Sequence, residues 1–115
     1  MYLIFPSGVL IIMLSSLYTV LKNTQDEIIL EFTHKNHTIF KAHFPGNPIL
    51  PGYALIDIIS KLLGDHIGYI KKSKFIEHVL PNDLITFKIK REESKRMIKV
   101  YKENKKISEI IYEVI

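Results

Sequence analysis

Residues 43–57 read HFPGNPILPGYALID, a stretch that packs one histidine, two glycines and three prolines ahead of an apolar run whose single acid is Asp57. Each proline fixes its own φ and pushes the residue before it toward extended backbone, so no helix is expected before Pro51. From Gly52 to Leu63 the chain reads GYALIDIISKLL, apolar on nearly every face, with Asp57, Ser60 and Lys61 as the exceptions. That is the pattern of a buried helix. Pro51 before it and Gly64 after it are suitable boundaries.

Short β-prone runs lie upstream, at residues 16–22 and 27–33, with the turn-forming NTQDE between them. They predict a hairpin. EIILEFTH alternates only in part, as suits a strand with one well-buried face. KNHT then reads as a loop and IFKAHF as the lead-in to the prolines. Downstream, residues 70–79, 83–90, 96–103 and 107–114 read as four strands joined by LPND, REES and KENKK. ITFKIK and MIKVYK alternate cleanly, as half-exposed antiparallel strands should. The sum is two strands, one long buried helix and an antiparallel meander, an α+β domain whose sheet wraps the helix.

Composition sets the outer limits. A chain of 115 residues is one domain's worth (1–115), and 47% hydrophobic with 24% charged residues is globular. With no cysteine, disulfides, thiolate metal sites and thiol nucleophiles are excluded, which suits a cytoplasmic chain. Net charge is +4, and between residues 61 and 106 thirteen Lys or Arg face six Asp or Glu. Such a surface attracts nucleic acid, an anionic membrane or an acidic protein, or is simply the solvated side of alternating strands. Arg91 and Arg96 are the only arginines and no nucleic-acid motif is present, so nucleic acid is not an expected partner.

Residues 2–21 carry no charge, long enough for a membrane span. Pro6 and Gly8 interrupt that run, and Ser15, Ser16, Tyr18 and Thr19 dilute it. No basic segment precedes it as in a signal peptide. No membrane is expected, therefore, and residues 1–13 read as an extension, Met13 being an alternative start.

The chemistry concentrates where the prolines end. Gly52 stands at the helix N-terminus, where unpaired N–H groups and the positive end of the helix dipole suit an oxygen that becomes negative. Asp57 follows about one and a half turns later among apolar neighbours, where burial favours the protonated acid. His43, on the stiffened lead-in, has an intrinsic pKa suited to taking a proton near neutrality. Base, acid and oxyanion donor suffice to remove a proton beside a carbonyl and expel a β-hydroxyl. Taken singly, His43 reads as a residue bonding a turn, Gly52 as a tight corner, and Asp57 as the i,i+4 partner of Lys61.

Together they resemble the hot-dog-fold 3-hydroxyacyl-acyl-carrier-protein dehydratases of fatty acid synthesis, whose signature is similar to HFPGxPxxPG followed by an acid on the central helix. His43, Phe44, Pro45, Gly46, Pro48, Pro51 and Gly52 match it, and Asp57 falls fourteen residues after the histidine, where that family carries Glu or Asp. KSKFIEHVLPND and the early hairpin resemble the family more loosely. The resemblance implies a hot-dog fold, a long central helix wrapped by a curled antiparallel β-sheet. It also implies a homodimer or higher homo-oligomer with active sites at the subunit interface, His43 from one copy and Asp57 from the other. By the same resemblance His43 exchanges the C2 proton, Asp57 protonates or orients the leaving C3 hydroxyl, and the Gly52 N–H polarises the thioester carbonyl. Phe44, Pro45, Gly46, Pro51 and Lys61 line the substrate. No metal or redox cofactor is implied, since the acyl group arrives on the phosphopantetheine of an acyl carrier protein. Lys61 stands where the family usually has glutamine, and a cation there favours an ionised Asp57. A hot-dog thioesterase and a non-catalytic acyl-binding subunit are the alternatives.

Overall fold

The computed structural model describes residues 16–34, 37–42 and 46–115, with the side chains of all of these except 41 and 42. The N-terminal extension read from the sequence lies outside them. Six strands form one antiparallel sheet: β1 (Tyr18–Asn23), β2 (Glu27–Phe32), β3 (Ile67–Phe75), β4 (Leu84–Glu92), β5 (Lys95–Lys102) and β6 (Lys105–Val114). Two helices are described, α1 (Thr38–Ala42) and α2 (Gly52–Leu63).

Alternation decides which way each strand faces. Ile28, Leu30 and Phe32 of β2, Ile85, Phe87 and Ile89 of β4, and Ile98 and Val100 of β5 are all buried on one side. Against them α2 buries Ala54, Leu55, Ile58 and Ile59, the i, i+1, i+4, i+5 stripe that a helix lays on a sheet. Burying an aliphatic side chain of this size stabilises the fold by about 1.5–3 kcal/mol, so this shared layer is the main source of stability.

α2 has the boundaries read from the sequence. Its C-terminus is a Schellman turn: Gly64, at φ 70°, donates its N–H to Lys61 O, and the Asp65 N–H reaches back to Ser60 O at 2.9 Å. Positive φ explains why glycine stands there.

Two expectations are corrected. A helix does precede Pro51, because α1 covers Thr38–Ala42. The proline bias reaches only one residue back, so Pro45 does not constrain it. Burial of Phe40 and the Ile39 N–H, which donates to His37 Nδ1 at 3.1 Å, hold the turn instead. Nor do the last four strands form one meander, for the sheet order is β1-β2-β4-β5-β6-β3. The chain leaves α2 at the far edge, and β3 starts earlier than expected and pairs with β6. At Ile76 and Glu77 it departs from the sheet, both N–H groups donating to Ile107 O. LPND is thus a connection across the sheet's end and not a hairpin turn.

Candidate active site

α2 begins without a side-chain cap, since Pro51 is its N-cap residue and has none to offer. The Ala54 and Leu55 N–H groups both go to Pro51 O, at 3.0 and 3.2 Å. The Gly52 N–H has no partner among the described residues. It is the open donor that the sequence pointed to, at the positive end of a twelve-residue helix.

Asp57 lies on the half-buried face of α2, which also carries Tyr53, Ile56 and Ser60. This stripe is the side the sheet does not cover. Asp57 is therefore less enclosed than its apolar sequence neighbours imply. Its carboxylate makes no hydrogen bond or ion pair among the described residues, and the Ser60 hydroxyl donates to its backbone oxygen, at 3.0 Å. The alternative Asp57–Lys61 pair is absent from the ion pairs of the described residues, and Lys61 is exposed.

His43, Phe44 and Pro45 lie outside the described residues. Gly46 is exposed at a turn with φ 83°, a conformation that favours glycine. Pro51 is buried and Pro48 half-buried, so the rigid segment is anchored at its helix end. The structure thus brings Gly52 and Asp57 onto one helix with open polar groups.

A second aromatic belongs here and went unread in the sequence. A Cβ built on Gly52 would lie 2.7 Å from Cζ of Phe75, so the β3 ring rests against the helix's first residue. Only the strand partnership across the sheet reveals that, since the two are 23 positions apart.

Other polar groupings serve structure. Beyond the C-terminus of α2, Asp65 accepts from Tyr112 Oη at 2.6 Å and lies 3.3 Å from Arg96 Nε. Burial, then this bond, pushes the Tyr112 phenol well above its ordinary 10.0. A polar cleft of about 430 Å³ opens between residues such as Ser16, Glu31, His34 and Asn82 at the β1–β2 side. Its neighbour His37 lies 2.9 Å from Ser16 Oγ through Nε2. Because Nδ1 already accepts the Ile39 N–H, the neutral ring must donate from Nε2, the opposite of what an activated serine requires.

Several cationic side chains are paired: Lys72 reaches Glu109 and Lys71 reaches Glu113 across the β3–β6 pair, Lys106 reaches Glu109 within β6, and Lys102 reaches Asp83. Among the described residues Lys61 and Lys74, like Lys88, Arg91, Lys95 and Lys99, make no ion pair. No helix among them is long and apolar enough to cross a membrane.

A long helix held in a curled six-stranded antiparallel sheet defines a hot-dog fold, and solved structures of low sequence identity share it. A chain of the dehydratase heterocomplex ApeI:P from Xenorhabdus doucetiae superposes with a TM-score of 0.66 at 20% identity, over 84% of this chain and 96% of that one. Thioesterase superfamily member 2 from Mus musculus gives 0.61 at 14% identity, over 93% and 86%. Within that fold the chain belongs to the ApeI-like dehydratase family, whose profile matches residues 20–110. It is also similar to the 3-hydroxyacyl-acyl-carrier-protein dehydratases FabZ of Clostridium acetobutylicum, 33% identical over 67 residues (47% of this chain, 48% of that protein), and of Fusobacterium nucleatum, 31% over 72 residues (53% and 51%). The chain spans about half the length of these curated relatives.

Proposed function

We propose that the chain catalyses the reversible dehydration of a 3-hydroxyacyl thioester to the trans-2-enoyl thioester, the acyl group carried on the phosphopantetheine of an acyl carrier protein. The open Gly52 N–H carries this reading, in a family of dehydratases and on the same helix as an unpartnered Asp57. His43 takes the C2 proton, and the charge that moves onto the thioester oxygen is met by the Gly52 N–H at the helix dipole's positive end. Asp57 protonates or orients the C3 hydroxyl, which leaves as water while the C2–C3 double bond forms. These three groups account for the chemistry without a metal or redox cofactor.

The working unit in this reading is a homodimer, with His43 of one copy facing Asp57 of the other. Two features support a partner. The α2 stripe holding Asp57 is left uncovered by the chain's own sheet. β3 is an edge strand with Tyr69 57% and Ile70 44% exposed, an apolar edge that a monomer would normally guard. Lys61 and Lys74 offer free positive charge to an acidic carrier protein beside these elements.

Purified protein is expected to hydrate a crotonyl thioester, and His43→Ala to lower the rate by roughly 100- to 10,000-fold without dissociating the dimer. Equal turnover in wild type and His43→Ala would defeat the assignment. Release of free thiol in place of hydration would mark a thioesterase.

A further inference from the structure

The far edge of the Phe75 ring rests on Gly52: a Cβ there would meet Cζ at 2.7 Å, Cε2 at 2.8 Å and Cε1 at 3.1 Å. Phe75 belongs to an edge strand and is 38% exposed, so its ring is packed on one side and open on the other. Directly across the β3–β6 pairing from Phe75 stands Ser108, and across β5–β6 from Ser108 stands Val100. Residues opposite one another on antiparallel strands project to the same side. Ser108 therefore faces the helix, between the Phe75 ring and the buried Val100.

Ser108 is fully buried, and among the described residues it is the polar residue set into the apolar core. Its Oγ has no hydrogen-bond partner there. A buried hydroxyl without a partner works against folding, and alanine would fill the same place without that penalty. The hydroxyl's position one strand over from the ring, on the side of the open helix N-terminus, gives it a use.

We propose that the Phe75 ring occupies the place taken by the substrate's thioester, and that Ser108 is a second hydrogen-bond donor to the thioester carbonyl, alongside the Gly52 N–H. The inference rests on the dehydratase reading above and adds two residues to it. Turning the ring toward solvent uncovers both donors at once. The acyl thioester enters beneath the ring, its carbonyl oxygen accepts from Gly52 N–H and Ser108 O–H, and both bonds strengthen as that oxygen gains charge. Ser108 keeps its proton throughout. Phe75 is a positioning residue that closes the site when no substrate is bound.

The test uses the full chain with crotonyl-pantetheine as probe, measuring hydration kinetics, binding and thermal unfolding together. Ser108→Ala is expected to lower kcat by roughly a hundredfold, the usual effect of removing one oxyanion donor, while its Tm stays level or rises. A purely structural serine would leave kcat unchanged. Should the alanine variant fail to fold, Ser108→Cys, close in volume and a weaker donor, gives the same reading with a smaller loss. Phe75→Leu, too short to reach Gly52, is expected to lower KM with little change in kcat. Wild-type kcat in the Ser108 variants overturns the proposal and leaves the dehydratase reading standing. If wild type binds crotonyl-pantetheine without turning it over, the dehydratase reading fails alone and Kd decides: a tenfold weaker Kd in Ser108→Ala supports the site, an equal one overturns it. Wild type that neither turns over nor binds the thioester overturns both.

Discussion

The two ends of α2 are built on opposite principles. At the C-terminus the groups that close the helix are matched: Gly64 and Asp65 return their N–H groups to Lys61 and Ser60, and the Asp65 carboxylate receives Tyr112 Oη and pairs with Arg96, whose Nε lies 3.3 Å away without a hydrogen bond among the described residues. At the N-terminus the cap residue is a proline, and among the described residues the Gly52 N–H is open, Asp57 is unpartnered, and Ser108, opposite Phe75 in the sheet, is buried without a bond. The closing turn thus finds partners for its backbone donors and for the Asp65 carboxylate. Unsatisfied groups at the other end are costly to stability, and the dehydratase reading proposed above gives them a ligand. In the proposed reading one end of the helix holds the molecule together and the other is kept ready for chemistry.

The contrast is sharpest in paired substitutions. Asp57→Asn is expected to lower hydration of a crotonyl thioester by roughly a hundredfold or more while leaving Tm within a few degrees of wild type. Asp65→Ala is expected to do the reverse. It strands the buried Tyr112 hydroxyl and removes the carboxylate facing Arg96, costing about 2–4 kcal/mol, with specific activity of the folded protein retained. Differential scanning calorimetry beside the kinetic assay separates the two. A large fall in Tm for Asp57→Asn, or none for Asp65→Ala, breaks the division between the ends.

Gly52→Ala probes the open end from a different side. A methyl at this position displaces only the tip of a turnable ring, and alanine favours helix by about 1 kcal/mol over glycine. The variant is expected to fold with an unchanged or slightly higher Tm. Its activity falls more than tenfold, because the methyl lies where the thioester must approach the amide. Unchanged kcat/KM would show that this approach is not used.

Local pattern carried most of the fold and part of the site. ITFKIK and MIKVYK announced β4 and β5 because period-two burial is written into consecutive residues, and α2 was bounded by a proline and a left-handed glycine whose constraints are local. The placement of β3 was not legible, since which strand takes the sheet's edge depends on where α2 delivers the chain. Almost the whole of β3 is exposed, so no burial rhythm marks its ends. The same holds for the site. Gly52 and Asp57 could be read from a motif as candidates, whereas Phe75 and Ser108, proposed beside them, are linked only through the β3–β6 register.

The closed end also has an alkaline signature. Burial, then the bond to Asp65, raises the Tyr112 pKa above 10.0, so the folded state keeps a proton that the unfolded state gives up. The stabilisation is complete below pH 10 and declines as pH rises beyond it. Tyr112→Phe is expected to flatten that decline in melts taken on the alkaline side. A residual slope remains from Tyr18 and Tyr53, which burial also raises. A slope equal to wild type's would place the alkaline sensitivity elsewhere.

The smallest effect concerns the edge strand beside the open end. Glu109 on β6 receives Lys106 and, across the strand pair, Lys72 of β3, which lower its pKa from 4.5 to about 2. A depressed carboxylate stabilises the folded state above the ordinary value and loses that contribution as pH falls from 4.5 to about 2. The pair is solvated, so the contribution is modest and screened by salt. Glu109→Gln is therefore expected to match wild type closely near neutrality in high salt, and to lack part of wild type's loss of Tm across that acidic window in low salt. Because Lys72 tethers β3, hydrogen exchange of the β3 amides is the finer readout. Faster exchange confined to β3 in Glu109→Gln at neutral pH would show that the strand carrying Phe75 is held partly by charge, and identical β3 exchange in the two proteins would leave backbone pairing alone to hold the ring over Gly52.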